Sequence, residues 1–328
     1  MKIVQSLGRS LDDLVVTWGN LKIEGGSIMA TGYSRYCRIV TIALTALTFG
    51  LSSTTIAAPV VISGSGDITG AVNQCRTALG DPNNGATLGE QASGRREINW
   101  DGVPNSFSAP NNLPADFFNV NSPRGVVFST PGAGFQVSAN AGVAPIEFDN
   151  INATYSAQFN TFSPQRLFTA LGSNITDNNF FVAGSATPAT VTGFGAVFSD
   201  IDVPNSASIQ FFAGGASLGT FFAPVRTDAT GLSFLCVTFN AGERASRVRI
   251  TSGQGALGAG ANDISDGGTT DLVVMDDFLY SEPKNLPAVG PAAAVIPSLS
   301  EWGVILLSLL LGGGLATALR RRGRRLAS

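Results

Sequence analysis

The chain has 328 residues, 39 of them glycine, with 13% charged residues and no histidine. Ten Lys/Arg and 20 Asp/Glu lie between residues 59 and 319, a net charge of −10 over that span. So acidic a body lacks the basic surface that phosphates require, which excludes nucleic acid as a partner. Without histidine there is no Ser-His-Asp triad, no Cys-His pair and no His-ligated metal. The chain therefore reads as a non-enzyme, with enough apolar residues (44%) for a real core.

Residues 39–51, IVTIALTALTFGL, are apolar, follow Arg35 and Arg38, and lead into Thr55-Ile56-Ala57-Ala58-Pro59. A basic start, a short apolar middle and a small-residue end are the parts of a secretory signal. The run is too short to span a hydrocarbon core of about 30 Å. The expectation is a signal peptide over 29–57, cut by signal peptidase after Ala57, with Met29 as the working start and residues 1–28 an over-extended one. Export places the body in an oxidising compartment.

Residues 58–96, rich in Gly, Asn and Ser, read as a loose N-terminal extension with one helix over 71–79, stopped by Gly80-Asp81-Pro82. From Glu97 short β-like runs alternate with turn residues. They cover 125–129, 134–139, 146–148, 153–159, 191–198, 208–212, 219–222, 232–239, 247–251 and 272–280. Asn121-Ser122-Pro123, Thr130-Pro131-Gly132 and Ala213-Gly214-Gly215 carry turn chemistry between them. This pattern predicts a mainly β fold, a single antiparallel β-sandwich of jelly-roll type over 97–283. The 21 phenylalanines are its core filling.

Three candidate features lie in this body. Cys75 and Cys236 are the cysteines left after signal removal; they read either as a disulfide or, since Cys236 sits inside LSFLCVTF, as a buried thiol. Glu97 and Asp101 at the start of the sandwich, with Asp276 and Asp277 at its last strand, form a candidate hard-oxygen calcium site, because first and last strands of such sandwiches are commonly neighbours. The competing reading is that Asp276 and Asp277 cap turns and pair with Arg95 or Arg96. The DISDGGTTD run, Asp263 to Asp271, adds carboxylates without EF-hand spacing, and Asp200-Ile201-Asp202 reads as a strand-end turn. Trp100, Tyr155 and Tyr280 are the candidate sugar platforms; exposed, they would favour a carbohydrate-binding module for extracellular polysaccharide.

Residues 284–295 form a Pro/Ala linker before the tail 296–328. Trp302 to Leu319 is 18 uncharged residues, about 27 Å as a helix, followed by Arg320, Arg321, Arg322, Arg324 and Arg325. This predicts a transmembrane helix over 302–319 with its arginines in the cytoplasm and the body outside.

Ile296-Pro297-Ser298-Leu299-Ser300-Glu301-Trp302-Gly303, then an apolar stretch, then an arginine cluster resembles the IPTL-CTERM sorting domain, a variant of the PEP-CTERM class of bacterial tails. Ser298 stands where that family has threonine, which keeps the hydroxyl. The resemblance implies a Gram-negative envelope protein, found at the outer surface or released after processing, whose tail is recognised by an exosortase, a membrane protease. This chain is then the substrate. REINWDG, NSPRGVVF, GFGAVFSDIDV and VVMDDFLYSEP also resemble uncharacterised β-sandwich domains found beside such tails, a resemblance that implies a fold more than a function.

Overall fold

The computed structural model describes residues 58–227, 230–290 and 306–313, all within one unit, Ile56–Ser328. In chain order its strands are β1 (Val60–Ser65), β2 (Arg95–Ile98), β3 (Val126–Ser129), β4 (Gly134–Val137), β5 (Phe168–Leu171), β6 (Ile175–Phe180), β7 (Gly193–Ser199), β8 (Ser208–Ala213), β9 (Ala216–Phe222), β10 (Leu232–Thr238), β11 (Arg247–Thr251) and β12 (Val274–Ser281). They form two antiparallel sheets. The seven-stranded sheet runs β1-β10-β7-β12-β5-β4, with β2 also on β12; the five-stranded sheet runs β3-β6-β11-β8-β9. The mainly β expectation holds.

The central strands of the larger sheet are buried along almost their whole length because both their faces are covered. Leu235 and Val237 of β10 join the sandwich core, while Phe234 and Cys236 join a second cluster on the outer face. Along β7, Phe194, Ala196 and Phe198 point into the core and Val197 points out. The period of two survives, but each face finds an apolar partner. The core itself is phenylalanine-rich. Trp100 stacks on Phe168 with ring centroids 4.0 Å apart and meets Phe118 and Phe278 edge-on.

The outer cover comes from residues 60–94, and here the structure corrects the expectation of a loose extension. β1 pairs with β10 over six residues, Val60 with Thr238 through Ser65 with Ser233. Helix α1 (Thr69–Leu79) lays Val72, Cys75 and Leu79 on the sheet. A Cβ on Gly195 would come 3.1 Å from the Cys75 sulfur and 2.9 Å from the Cys236 Cβ, so only glycine lets α1 sit this close. Gly, Asn and Ser content suggests looseness, but Val72, Cys75 and Leu79 at helical spacing give the segment an apolar face that docks.

Two predicted strands are not strands. Residues Ile146–Phe148 form a 3-10 turn in which Glu147 and Phe148 have φ of 44° and 75°. Within 153–159 lies a helical turn, α2 (Tyr155–Gln158), begun where Asn152 Oδ1 accepts the Thr154 N–H at 3.2 Å. Tyr155, Ala157 and Phe159 alternate with polar Ser156 and Gln158, but the turn brings the two rings, four positions apart, into one buried cluster. β6, ITDNNF, had no strand signal because Asp and Asn are poor strand formers. It pairs on both sides and is held by Asp177, which is ion-paired to Arg247 and Arg249 at 3.0 and 2.8 Å. The predicted linker is also partly docked. Lys284 pairs with Thr190 and Val289 with Arg244, and the Lys284 ammonium donates to the carbonyls of Gln91 and Ala92.

Candidate functional site

β7 leaves the seven-stranded sheet and crosses to β8 in the other through residues 200–207; β11 crosses back to β12 through residues 252–273. The two crossings meet. Oxygens of Asp200, Asp202 and Asp263 all lie within 4.8 Å of one another. Ile201 between the two aspartates is anchored in the core, which fixes the turn that presents them. Asp200 has a φ of 70°, a left-handed conformation that aspartate tolerates better than most residues.

Neighbouring bonds brace the crossings. Asp263 Oδ1 accepts the Leu272 N–H at 2.6 Å, and its Oδ2 accepts both the N–H and the hydroxyl of Ser265 at 2.7 Å. Asp271 accepts the N–H groups of Asp202 and Val203 and the Ser206 hydroxyl, at 3.3, 2.9 and 2.5 Å. Gly268 closes the loop, since a Cβ there would lie 1.9 Å from the Asn262 carbonyl. The Gln158 amide of α2 donates to Asp200 Oδ2 and, at 2.6 Å, to Ser265 Oγ.

Asp200 is wholly buried and its Oδ1 has no hydrogen-bond partner; both buried oxygens of Asp202 lack one as well. Asp202 faces Ser265, but that hydroxyl's single proton already goes to Asp263. Burial, with the negative charge of Asp263 and Asp271 nearby, pushes the Asp200 carboxyl up to about 8 and the Asp202 carboxyl to about 6. The ion pairs of Arg76, Arg95, Arg96, Arg247, Arg249 and Lys284 are made with Glu97, Asp81, Glu282, Asp177 and Glu90, none of which belongs to this group.

The members of the predicted acidic quartet have other partners. β2 and β12 are neighbours, with Leu279 opposite Glu97, but Glu97 is ion-paired to Arg76 and Arg95 at 3.0 and 2.6 Å. Asp101 lies in the turn after β2, one oxygen held by Asn99 at 3.1 Å and the other buried without a partner. Asp276 and Asp277 occupy a β-bulge, where the register to β7 slips between Met275 and Phe278. Asp276 accepts the N–H groups of Phe162 and Ser163 at 2.6 and 3.2 Å, and Asp277 accepts the Ser163 hydroxyl at 2.8 Å. Arg95 and Arg96 go elsewhere: Arg95 to Glu97 and Asp81, and Arg96 to buried Glu282 at 2.7 Å.

Cys75 and Cys236 are joined by a disulfide between α1 and β10. Trp100, Tyr155 and Tyr280 are at most 1% exposed. Their polar ends are used inside, on the Asp276 carbonyl, on the Gly258 and Ala261 carbonyls, and on the Arg124 carbonyl respectively.

Ala57 and the motif residues 296–303 lie outside the described residues. Of the predicted span 302–319, residues 306–313 are described; they are helical, with Leu306, Leu307, Leu309, Leu310 and Leu311 exposed. No helix among the described residues is long and apolar enough to cross a membrane.

Sequence logic missed the Asp200–Asp202–Asp263 group as a unit. Its halves were visible as a D-x-D at a strand end and an acidic glycine loop, but nothing in the chain joins positions about 60 apart. No curated protein and no solved structure matches this chain. Residues 294–322 match the model of the IPTL-CTERM motif. The protein is thus a sorting-domain-containing chain, a β-rich body followed by an IPTL-CTERM motif.

Proposed function

We propose that this protein is exported to the cell envelope, that its tail is the substrate of an exosortase-type membrane protease, and that it displays the β-sandwich as an interaction domain. The IPTL-CTERM match at 294–322 carries the reading, together with the apolar stretch and five arginines around it. A plain anchor needs only apolar length and flanking charge. A recognised signal needs side chains a protease can read. Pro297 fixes its own φ and disfavours helix at Ile296, so the motif can enter a binding groove extended. Glu301, an acid at the edge of an apolar stretch, is a burden for insertion and useful as a contact. Display rather than catalysis fits a chain without histidine, and the disulfide fits an oxidising compartment. A sugar-binding reading loses its aromatic platforms, since Trp100, Tyr155 and Tyr280 are core residues.

The test is Glu301→Ala in a host carrying the matching exosortase, with fractionation and immunoblotting of the body. Wild type should be released from the inner membrane, while the variant should insert and remain there at full length. If both stay full-length in the inner membrane, the tail is a plain anchor and the processing idea fails.

A further inference from the structure

We propose that Asp200, Asp202 and Asp263 bind one calcium ion, which clamps the two sheet crossings to each other. This site is independent of the sorting reading, and either can fail alone. Three observations converge on it. The carboxylate oxygens lie within 4.8 Å of one another, the spread expected of oxygens each about 2.3–2.6 Å from one calcium ion. Asp200 Oδ1 and both oxygens of Asp202 are buried and have no hydrogen-bond partner. A carboxylate removed from water without donors or a counter-charge must take up a proton or a cation. Finally, the ion pairs of Arg76, Arg95, Arg96, Arg247, Arg249 and Lys284 all go to acids outside the group.

The donors select the ion. All are carboxylate oxygens, without imidazole or thiolate, which suits a hard cation over zinc or copper. Three acids from two separate loops suit calcium's irregular shell better than magnesium's strict octahedron. The bracing has the form a metal site needs. Asp263 accepts the Ser265 N–H and hydroxyl at Oδ2 and the Leu272 N–H at Oδ1, which leaves Oδ1 a second lone pair for the ion, and Asp271 accepts the N–H groups of Asp202 and Val203, so the ligand loops are positioned without using the Asp200 Oδ1 and Asp202 oxygens. An ion here ties the 200–207 crossing to the 263–271 loop, joining segments of the chain that leave opposite sheets.

The experiment uses the purified full chain, stripped with EGTA and titrated with calcium chloride alone by calorimetry, with melting temperature and limited proteolysis in parallel. Wild type should show saturable one-site binding, a higher melting temperature with calcium, and protection of residues 263–271 from protease. Asp202→Asn keeps the shape and removes one charge, so it should fold and bind calcium at least about tenfold more weakly. Should that variant fail to fold, Asp200→Asn carries the same expectation. Asp277→Asn, in the other acidic pair, should bind as wild type does. Magnesium should bind more weakly than calcium, and equal binding overturns the calcium assignment. No saturable binding by wild type at millimolar calcium overturns the site and leaves the group held by protons. Unchanged binding by Asp202→Asn, or loss of binding in Asp277→Asn, overturns the ligand assignment.

Discussion

At the scale of single residues, buried acids are the most informative groups. Asp276 and Asp277 sit together at a bulge in β12 because two residues of that strand oppose one of β7 there. Burial, and for Asp276 the charge of its neighbour, raises both carboxyls above the ordinary range, Asp277 to about 6. Arg76 and Glu97 act on Asp277 in opposite directions. The folded state therefore binds more protons than the unfolded chain. The pair's contribution is fully present below about pH 4 and is lost as pH rises through about 6, and further for Asp276. Asp277→Asn should remove much of that loss. In urea unfolding with EGTA present, the drop in stability from pH 5 to pH 8 should shrink by about 1–2 kcal/mol relative to wild type. An equal drop in both proteins would show that the pair is not the cause. The sequence displayed the acid pair but not its burial. Whether an Asp-Asp step faces water or a neighbouring loop depends on the bulge and on Ser163, more than 100 positions away.

At the scale of elements, the cover formed by β1 and α1 departs furthest from composition. The helix was legible from its apolar spacing and its Gly80-Asp81-Pro82 stop, and Gly80 is the observed C-cap. Its docking was not legible, because Gly195 and the alternating faces of β10 that receive it lie far along the chain. The disulfide locks this cover across a sequence separation of 161. In the chain-entropy model, so long a loop stabilises by about 4–5 kcal/mol. A Cys75→Ser/Cys236→Ser double variant should therefore lose stability of that order in urea unfolding. The first protease cuts in the double variant should fall within residues 60–94. An unchanged unfolding midpoint would mean that the docked apolar face of α1 alone holds the segment. The four short motifs REINWDG, NSPRGVVF, GFGAVFSDIDV and VVMDDFLYSEP have a tertiary reason to stand out. The first and last pair as β2 and β12, the third supplies β7 on the other side of β12, Tyr280 donates to the Arg124 carbonyl of the second at 3.0 Å, and buried Arg96 meets Glu282.

At the scale of the whole molecule, the net −10 of the body, the apolar run at 39–51 and the basic tail support the proposal that the chain is exported with its acidic domain outside. N-terminal sequencing of envelope material should give a mature chain beginning at Ala58. A protein still beginning at Met1 or Met29 would remove the export signal from the account. The sequence by itself determined the β-rich class and the sorting motif, because alternation, turn residues and a contiguous apolar-then-basic tail are local chemistry that needs no partner. Only the tertiary structure decided where the charges act. Asp200 and Asp202 meet Asp263 because two crossings between the sheets converge, and convergence is a property of strand order rather than of spacing along the chain. The same holds for the aromatic residues. Trp100, Tyr155 and Tyr280 offer the same rings to a sugar or to a core, and the packing of two sheets and their loops placed them inside.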